Sequence, residues 1–264
     1  MKIPRIIHQT YSTNDIPLDI QSIIFQLKKN NPNWIYKFYN DKDVLHYIKD
    51  NFDDEILDAY LSINGKYGAA RADFFRYLVV YNEGGVYLDI KSTCVYSLDS
   101  IINENDEIIL CHWQNEVGMK SQFAGMHNEL KECKFGEFQQ WHVIAKPRSA
   151  FLEAVIKSII ENLKSYNPWT HGVGKPAVLR ITGPIAYTKA IIPLLKNHPY
   201  TFYRYDKDIG LVYSNLNHDF KHMEIMNSHY SRCSDSVVGN LNLINRLNFY
   251  LYRLIRWTKR LLIN

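Results

Sequence analysis

The sequence is missing most of the signatures that assign a chain to a chemistry at sight. Its four cysteines, Cys94, Cys111, Cys133 and Cys233, form no CxxC pair and follow no metal-ligand rhythm, which argues against a zinc module or a disulfide scaffold and for reduced thiols. His218 and His222 stand four apart, but no HExxH glutamate accompanies them and no third ligand is placed by spacing. Gly172-Val173-Gly174-Lys175 lacks the spacing of a phosphate-binding P-loop, and GxSxG is absent. No acid and nucleophile are paired as glycoside cleavage requires. Nowhere do about 18 apolar residues run uninterrupted, so no stretch reads as a membrane span. Acidic residues are also absent after Asp235, whereas Arg246, Arg253, Arg256, Lys259 and Arg260 crowd the last segment. Without those five, 26 basic residues face 27 acidic ones, so the body is nearly neutral and a general polyanion binder is excluded.

What is present is an ordinary globular balance, 46% hydrophobic and 22% charged, over a length that buries a substantial core. Aromatics are abundant, with 19 Tyr and 5 Trp. Most of them belong in a core, but flat rings with polar edges also suit sugars and nucleobases.

Arg5 to His8 reads as a short buried strand. Asp19 to Asn30 reads as a helix with Ile20, Ile23, Ile24 and Leu27 on one face. Trp34 to Tyr39 alternates as a second strand, and Asn40-Asp41 offers N-cap chemistry for a helix through Val44, Leu45 and Ile48. Ala69 to Glu83 is a mostly apolar helix stopped by Gly84-Gly85, and Val86 to Lys91 follows as an apolar strand with charge at its far end. Further strands are expected at 107–112 and 140–145, and helices at 151–163 and after Thr182-Gly183-Pro184. The unpatterned stretch 118–138 reads as a long loop. Helix, glycine turn and buried strand in succession indicate an α/β layered domain over residues 1–240. In such sheets ligands gather at the carboxyl ends of strands, which selects Asp89 and Lys91 after one strand and His8-Gln9-Thr10 at the end of another.

Asp73 and Arg76, three apart, share a face of their helix. In a buried helix each needs a partner, and an internal ion pair would satisfy both. Beyond the glycine turn, the period of two puts Tyr87, Asp89 and Lys91 on one side. Carboxylates for hydroxyl groups, an aromatic for stacking and cations for a departing diphosphate thus fall between residues 73 and 91.

The segments Ile3-Pro4-Arg5-Ile6-Ile7-His8-Gln9-Thr10, Ala70-Arg71-Ala72-Asp73-Phe74-Phe75-Arg76-Tyr77 and Gly84-Gly85-Val86-Tyr87-Leu88-Asp89-Ile90-Lys91 resemble, in order and spacing, the DXD sugar-binding transferases of glycosyltransferase family 32. Thr182-Gly183-Pro184 and His229-Tyr230-Ser231 are similar to later motifs of that family. The resemblance implies a GT-A fold, that is, a Rossmann-like mixed sheet flanked by helices. It implies transfer of a hexose from a UDP- or GDP-sugar to a glycan or glycolipid, with retention, and a divalent cation, manganese or magnesium. Asp73, Arg76, Tyr87 and Asp89 would bind the donor, His8, Gln9 and Thr10 would lie near the nucleotide, and Asp89 with His229 would ligate the metal. One position departs from the pattern: Lys91 stands where the second acid of the motif is expected. That leaves two cations in contention for the diphosphate, Lys91 itself or a metal, with Arg76 beside either. A non-catalytic nucleotide-sugar-binding module is the alternative such a degenerate motif allows.

Residues 241–264 read as a basic amphipathic helix. At 100° per residue Leu243, Leu247, Tyr250, Leu251, Leu254, Trp257 and Leu261 share a sector, with Arg246, Arg253, Arg256 and Arg260 opposite. Such a segment either lies on an anionic membrane surface or packs on the body with its basic face in water. Together these features lead us to expect a cytoplasmic protein, peripheral at the inner face of a membrane if the first option holds, and no contact with nucleic acid.

Overall fold

In the computed structural model, residues 2–119, 121–214, 233–239, 241 and 243–263 are described, the last five by their backbone alone. The described residues fold as an α/β domain around a six-stranded sheet of order β2-β1-β3-β6-β5-β7. Its strands are β1 (Ile6–Thr10), β2 (Ile35–Tyr39), β3 (Gly85–Leu88), β5 (Ile108–His112), β6 (His142–Ala145) and β7 (Thr201–Tyr205). Neighbours run parallel except at β6, which is antiparallel to both β3 and β5. The carboxyl ends of the other five strands and the amino end of β6 therefore meet at one edge. Two further short strands, β4 (Thr93–Cys94) and β8 (Leu211–Val212), pair beside it.

Alternation along the strands divides the core in two. On one face Tyr87, Val143, Ala145, Ile108 and Leu110 meet the helical layer. On the other Val86, Leu88, Ile144, Ile109 and Cys111 meet Leu27, Trp34, Cys94 and Leu98. The helical layer is built on α4 (Gly68–Glu83), whose residues from Asp73 to Val80 are all buried. It is apolar nearly all round because α2 (Asp41–Asn51), α5 (Ala150–Lys164) and α7 (Lys175–Ile181) pack on the sides that the sheet leaves open. Each of its large apolar side chains contributes about 1.5–3 kcal/mol by leaving water.

Local chemistry sets the boundaries. Asn40 accepts from the amides of Lys42 and Asp43 while Asp43 accepts from Asn40, a reciprocal cap that starts α2. Gly84 ends α4 at φ 71°, and Gly85 follows at φ 98°. A Cβ on Gly85 would stand 2.5 Å from the Ile6 carbonyl oxygen, and one on Gly84 would meet Pro147 at 2.6 Å, so only glycine makes this turn. The remaining helices are α1 (Leu18–Asn30), α3 (Asp54–Ser62), α6 (Pro168–His171), α8 (Pro184–Ile191) and α9 (Leu243–Ile263). Residues 113–141, expected to be irregular over most of their length, carry among the described residues a 3-10 turn at Asn128–Leu130 and a bridge from Phe138 to His112. Glu137 organises them by accepting from Trp113 at 2.7 Å and bonding His127 at 2.7 Å.

Strand β3 is shorter than its sequence suggests. It ends at Leu88; the amide of Asp89 still donates to Trp141, but the chain then turns, with the Ser92 amide donating to the Asp89 carbonyl. Tyr87, Asp89 and Lys91 therefore do not continue one alternating row. No described helix is long and apolar enough to cross a membrane.

Candidate active site

The edge where the strand ends converge carries a charge cluster drawn from three elements. Helix α4 contributes Asp73 and Arg76, the turn after β3 contributes Asp89, and the approach to β6 contributes Gln140. The Arg76 guanidinium lies 2.9 Å from Asp89 and 3.2 Å from Asp73. It donates to the Gln140 carbonyl at 2.6 Å and sits over the Tyr87 ring at 4.8 Å from its centroid. Burial opposes its charge, but Asp89 above all, then Tyr87 and Asp73, more than offset that, so it stays protonated.

The two carboxylates differ in access. Asp73 is sealed, with its side chain 6% exposed. Gln140 Nε2 donates to one oxygen at 3.1 Å and the Thr182 hydroxyl to the other at 3.1 Å. Burial pushes its carboxyl up to about 6, against the pull of Arg76. Asp89, 24% exposed, is the member that faces outward. An arginine locked on both sides by acids, with one of those acids open, presents a carboxylate of fixed orientation to a ligand hydroxyl.

Lys91 is elsewhere. The turn carries it to the β4–β8 side, where its ammonium donates to the Tyr213 hydroxyl at 3.2 Å and lies 4.4 Å over that ring. Burial, first, lowers its pKa, with Asp89 opposing and Arg76 assisting. Trp113 and Trp141 pack against Tyr213 with centroids at 5.2 and 5.4 Å, so the lysine enters an aromatic corner at the sheet edge.

The three residues at the end of β1 have three different positions. His8 is fully buried and bonds the Gly84 carbonyl at 3.0 Å and the Tyr39 hydroxyl at 3.1 Å. The carbonyl can only accept, so Nε2 carries the proton and Nδ1 accepts from Tyr39; burial lowers the pKa to about 4 and keeps the ring neutral. It therefore fastens β1 to the glycine turn and has no surface for a nucleotide. Gln9, also buried, donates to the Asp89 carbonyl at 3.2 Å and accepts from Tyr36 at 3.0 Å, fixing the backbone that presents Asp89. Thr10 is half-buried and bonds the Tyr87 hydroxyl at 3.0 Å. His229, expected as a second metal ligand, lies outside the described residues, as do His218, His222, Tyr230 and Ser231. Gln140, Thr182 and Tyr213 were not selected as site residues from sequence. Each is joined to Asp73 or Lys91 across 67 to 122 residues of chain.

The chemistry of the donors does not by itself suit a divalent cation. Of the motif's two positions one supplies a carboxylate already engaged by Arg76 and the other an ammonium, and no group of three or more His, Cys, Asp or Glu gathers among the described residues.

Residues 17–108 match the family model of the glycosyltransferase sugar-binding region containing the DXD motif. The mannosyl phosphorylinositol ceramide synthase SUR1 of Saccharomyces cerevisiae is 35% identical over 100 residues, 38% of this chain and 25% of that protein. Inositol phosphoceramide mannosyltransferase 2 of Schizosaccharomyces pombe is 25% identical over 186 residues, 70% of this chain and 45% of that protein. This chain is thus similar to the DXD-motif glycosyltransferases over its first part. Its matches span less than half the length of these curated relatives. Among solved structures, the PaToxG glycosyltransferase superposes with a TM-score of 0.53 at 16% identity, covering 97% of this chain and 88% of that one. The UDP-bound glycosyltransferase domain of the YGT toxin gives 0.52 at 8% identity, covering 95% and 89%. The fold is thus that of GT-A glycosyltransferases, a mixed sheet flanked by helices. At the position of that motif this chain reads Asp89-Ile90-Lys91.

Proposed function

We propose that the chain transfers a hexose from a nucleotide-sugar donor to a glycan or glycolipid acceptor, with retention of configuration at the anomeric carbon. The observation that carries this reading is the Asp73–Arg76–Asp89 bridge at the strand ends of a glycosyltransferase fold, with Asp89 as its open member. In this reading Asp89 accepts hydrogen bonds from the donor sugar. Arg76 and Asp73 hold it at a fixed angle, Tyr87 supports the guanidinium from below, and Thr10 borders the same edge. In a retaining transfer the acceptor hydroxyl attacks on the face the diphosphate leaves, so the departing phosphate can take the acceptor's proton and no protein base is required. The names of the yeast relatives point to mannose as the first sugar to try and to a glycolipid as the first acceptor.

Lys91 is the cation we assign to the diphosphate. Its pKa is lowered where it rests against Tyr213, and an approaching dianion would favour its charged form. A screen of UDP- and GDP-hexoses with a glycolipid acceptor, run in chelator and then with manganese, tests this. Activity should persist in chelator, and Lys91→Asp, which adds two negative units beside the diphosphate, should be nearly inactive until manganese is added. Complete loss of wild-type activity in chelator, restored by manganese, would assign the charge to a metal held by Asp89 and groups outside the described residues. The same screen examines the reading that the lysine favours, a binding module that retains its donor intact.

A further inference from the structure

Helix α9 touches the body along one narrow side. Phe249 is 7% exposed, Tyr252 meets Trp169 of α6 edge-on at 5.2 Å, and Asn245 faces the body beside them. At 100° per residue these three centre on one direction of the helix. The opposite direction carries Leu243, Ile244, Leu247, Tyr250, Leu251, Leu254, Ile255 and Trp257, and nothing among the described residues covers it. Leu243 is 75% exposed, Ile244 71% and Trp257 59%. The stripe spans about 160° of the helix circumference, far wider than a coiled-coil seam. Packing on the body therefore does not account for the apolar face, which points the other way.

The flank decides what the stripe meets. Arg246 and Arg253 lie between the packed side and the stripe, with Arg253 over the Phe249 ring at 5.8 Å, while Arg256 stands on the packed side and donates to Tyr252 at 2.9 Å. Tyr250 and Trp257 fall where arginines give way to leucines. The helix contains no Asp or Glu. Apolar side chains at the centre, aromatics at the margin and cations above them match the layers of an anionic bilayer surface: acyl chains, interface, headgroups. A second copy of the same stripe would bring like-charged flanks together.

We propose that α9 docks the protein on anionic lipid, lying in the plane of the bilayer with its leucine stripe inserted and its arginines at the phosphates. The proposal is independent of the transfer reading, because the stripe shares no residue with the Asp73–Arg76–Asp89 cluster.

The full chain should co-sediment with phosphatidylserine–phosphatidylcholine vesicles, weakly with phosphatidylcholine alone, and less as salt rises. Replacing Arg246, Arg253 and Arg256 together by Gln should lower partitioning on the anionic vesicles on the order of 100-fold. Leu247→Asp with Leu254→Asp should abolish it while the melting temperature stays put. Because all five positions are exposed, both variants are expected to fold, and the arginine variant remains informative if the other does not. Equal binding to neutral and anionic vesicles, binding unaffected by either variant, or a stripe that drives self-association without lipid binding would each overturn the proposal.

Discussion

Two regions of this molecule set charge beside apolar surface, and the fold treats them in opposite ways. At the sheet edge, Arg76 is enclosed between two carboxylates, one sealed and one open, and polar neighbours hold them: Gln140 and Thr182 on Asp73, the Gln140 carbonyl on Arg76, Gln9 behind Asp89. Along α9, the arginines and the leucine stripe stand exposed, and among the described residues the helix is fastened by Phe249 and its neighbours. Burying Arg76 and Asp73 costs several kcal/mol per ion before pairing repays it. A hydrophobic face of this width left in water forgoes its transfer energy altogether. Neither arrangement is what stability alone would select. The first reads as a site held rigid for a ligand, the second as a surface whose partner is outside the chain.

The contrast can be broken at its strongest point. Arg76→Ala should destabilise the fold by about 3–5 kcal/mol, because it strands the sealed Asp73 charge. Arg76→Lys should destabilise less but still remove most activity, since one ammonium cannot reproduce a planar fork held between two acids. Denaturant melts beside turnover measure both. If Arg76→Lys lost stability alone, with turnover per folded molecule intact, the bridge would be only an internal ion pair.

A smaller effect comes from acid. Burial lowers the pKa of His8 and of His112 to about 4 and that of His142 to about 3. The unfolded chain takes up these protons near 6.5 while the folded chain refuses them, so stability falls as pH drops below 6.5. The loss is about 2 kcal/mol per histidine at pH 5. Asp73 works in the opposite sense: its raised folded pKa of about 6 returns about 1 kcal/mol over the same range. Calorimetric scans should show the melting temperature about 10 °C lower at pH 5 than at pH 8. A flat profile would mean that the three rings are not buried neutral. Substitutions of the leucines on the stripe of α9 belong at the low end, within about 0.5 kcal/mol, because those side chains stand exposed.

What could be read in the sequence was what local chemistry fixes. The apolar run of α4, the glycine stop and the Asn40 cap each lie within a few residues, and they placed their elements almost to the residue. The pairing of Asp73 with Arg76 was legible from a spacing of three, and the apolar and basic sectors of α9 from its sequence alone. The rest depends on distant partners. Strand β3 stops at Leu88 because the turn after it is closed by bonds to Trp141 and within 89–92. Lys91 leaves the expected row for Tyr213, 122 residues on. His8, placed at a strand end by its position, proved to be a fastening for the Gly84 carbonyl, since its burial depends on Tyr39 and the helix behind it. Thr182 stands in a motif legible in the sequence, but its bond to Asp73 spans 109 residues that no periodicity connects.

The most direct measurement follows one labelled hexose. Wild-type chain and Asp89→Ala, matched for melting temperature, are incubated with the donor selected by the screen and a glycolipid acceptor, and the products are separated by mass. The account predicts glycosylated acceptor and free nucleoside diphosphate from the wild type, and a loss of about 100- to 1000-fold for Asp89→Ala, the cost of removing a group that acts at the reacting sugar. Equal turnover by a folded Asp89→Ala protein would contradict the assignment of the site, and an intact donor after incubation with the wild type would contradict the transfer itself.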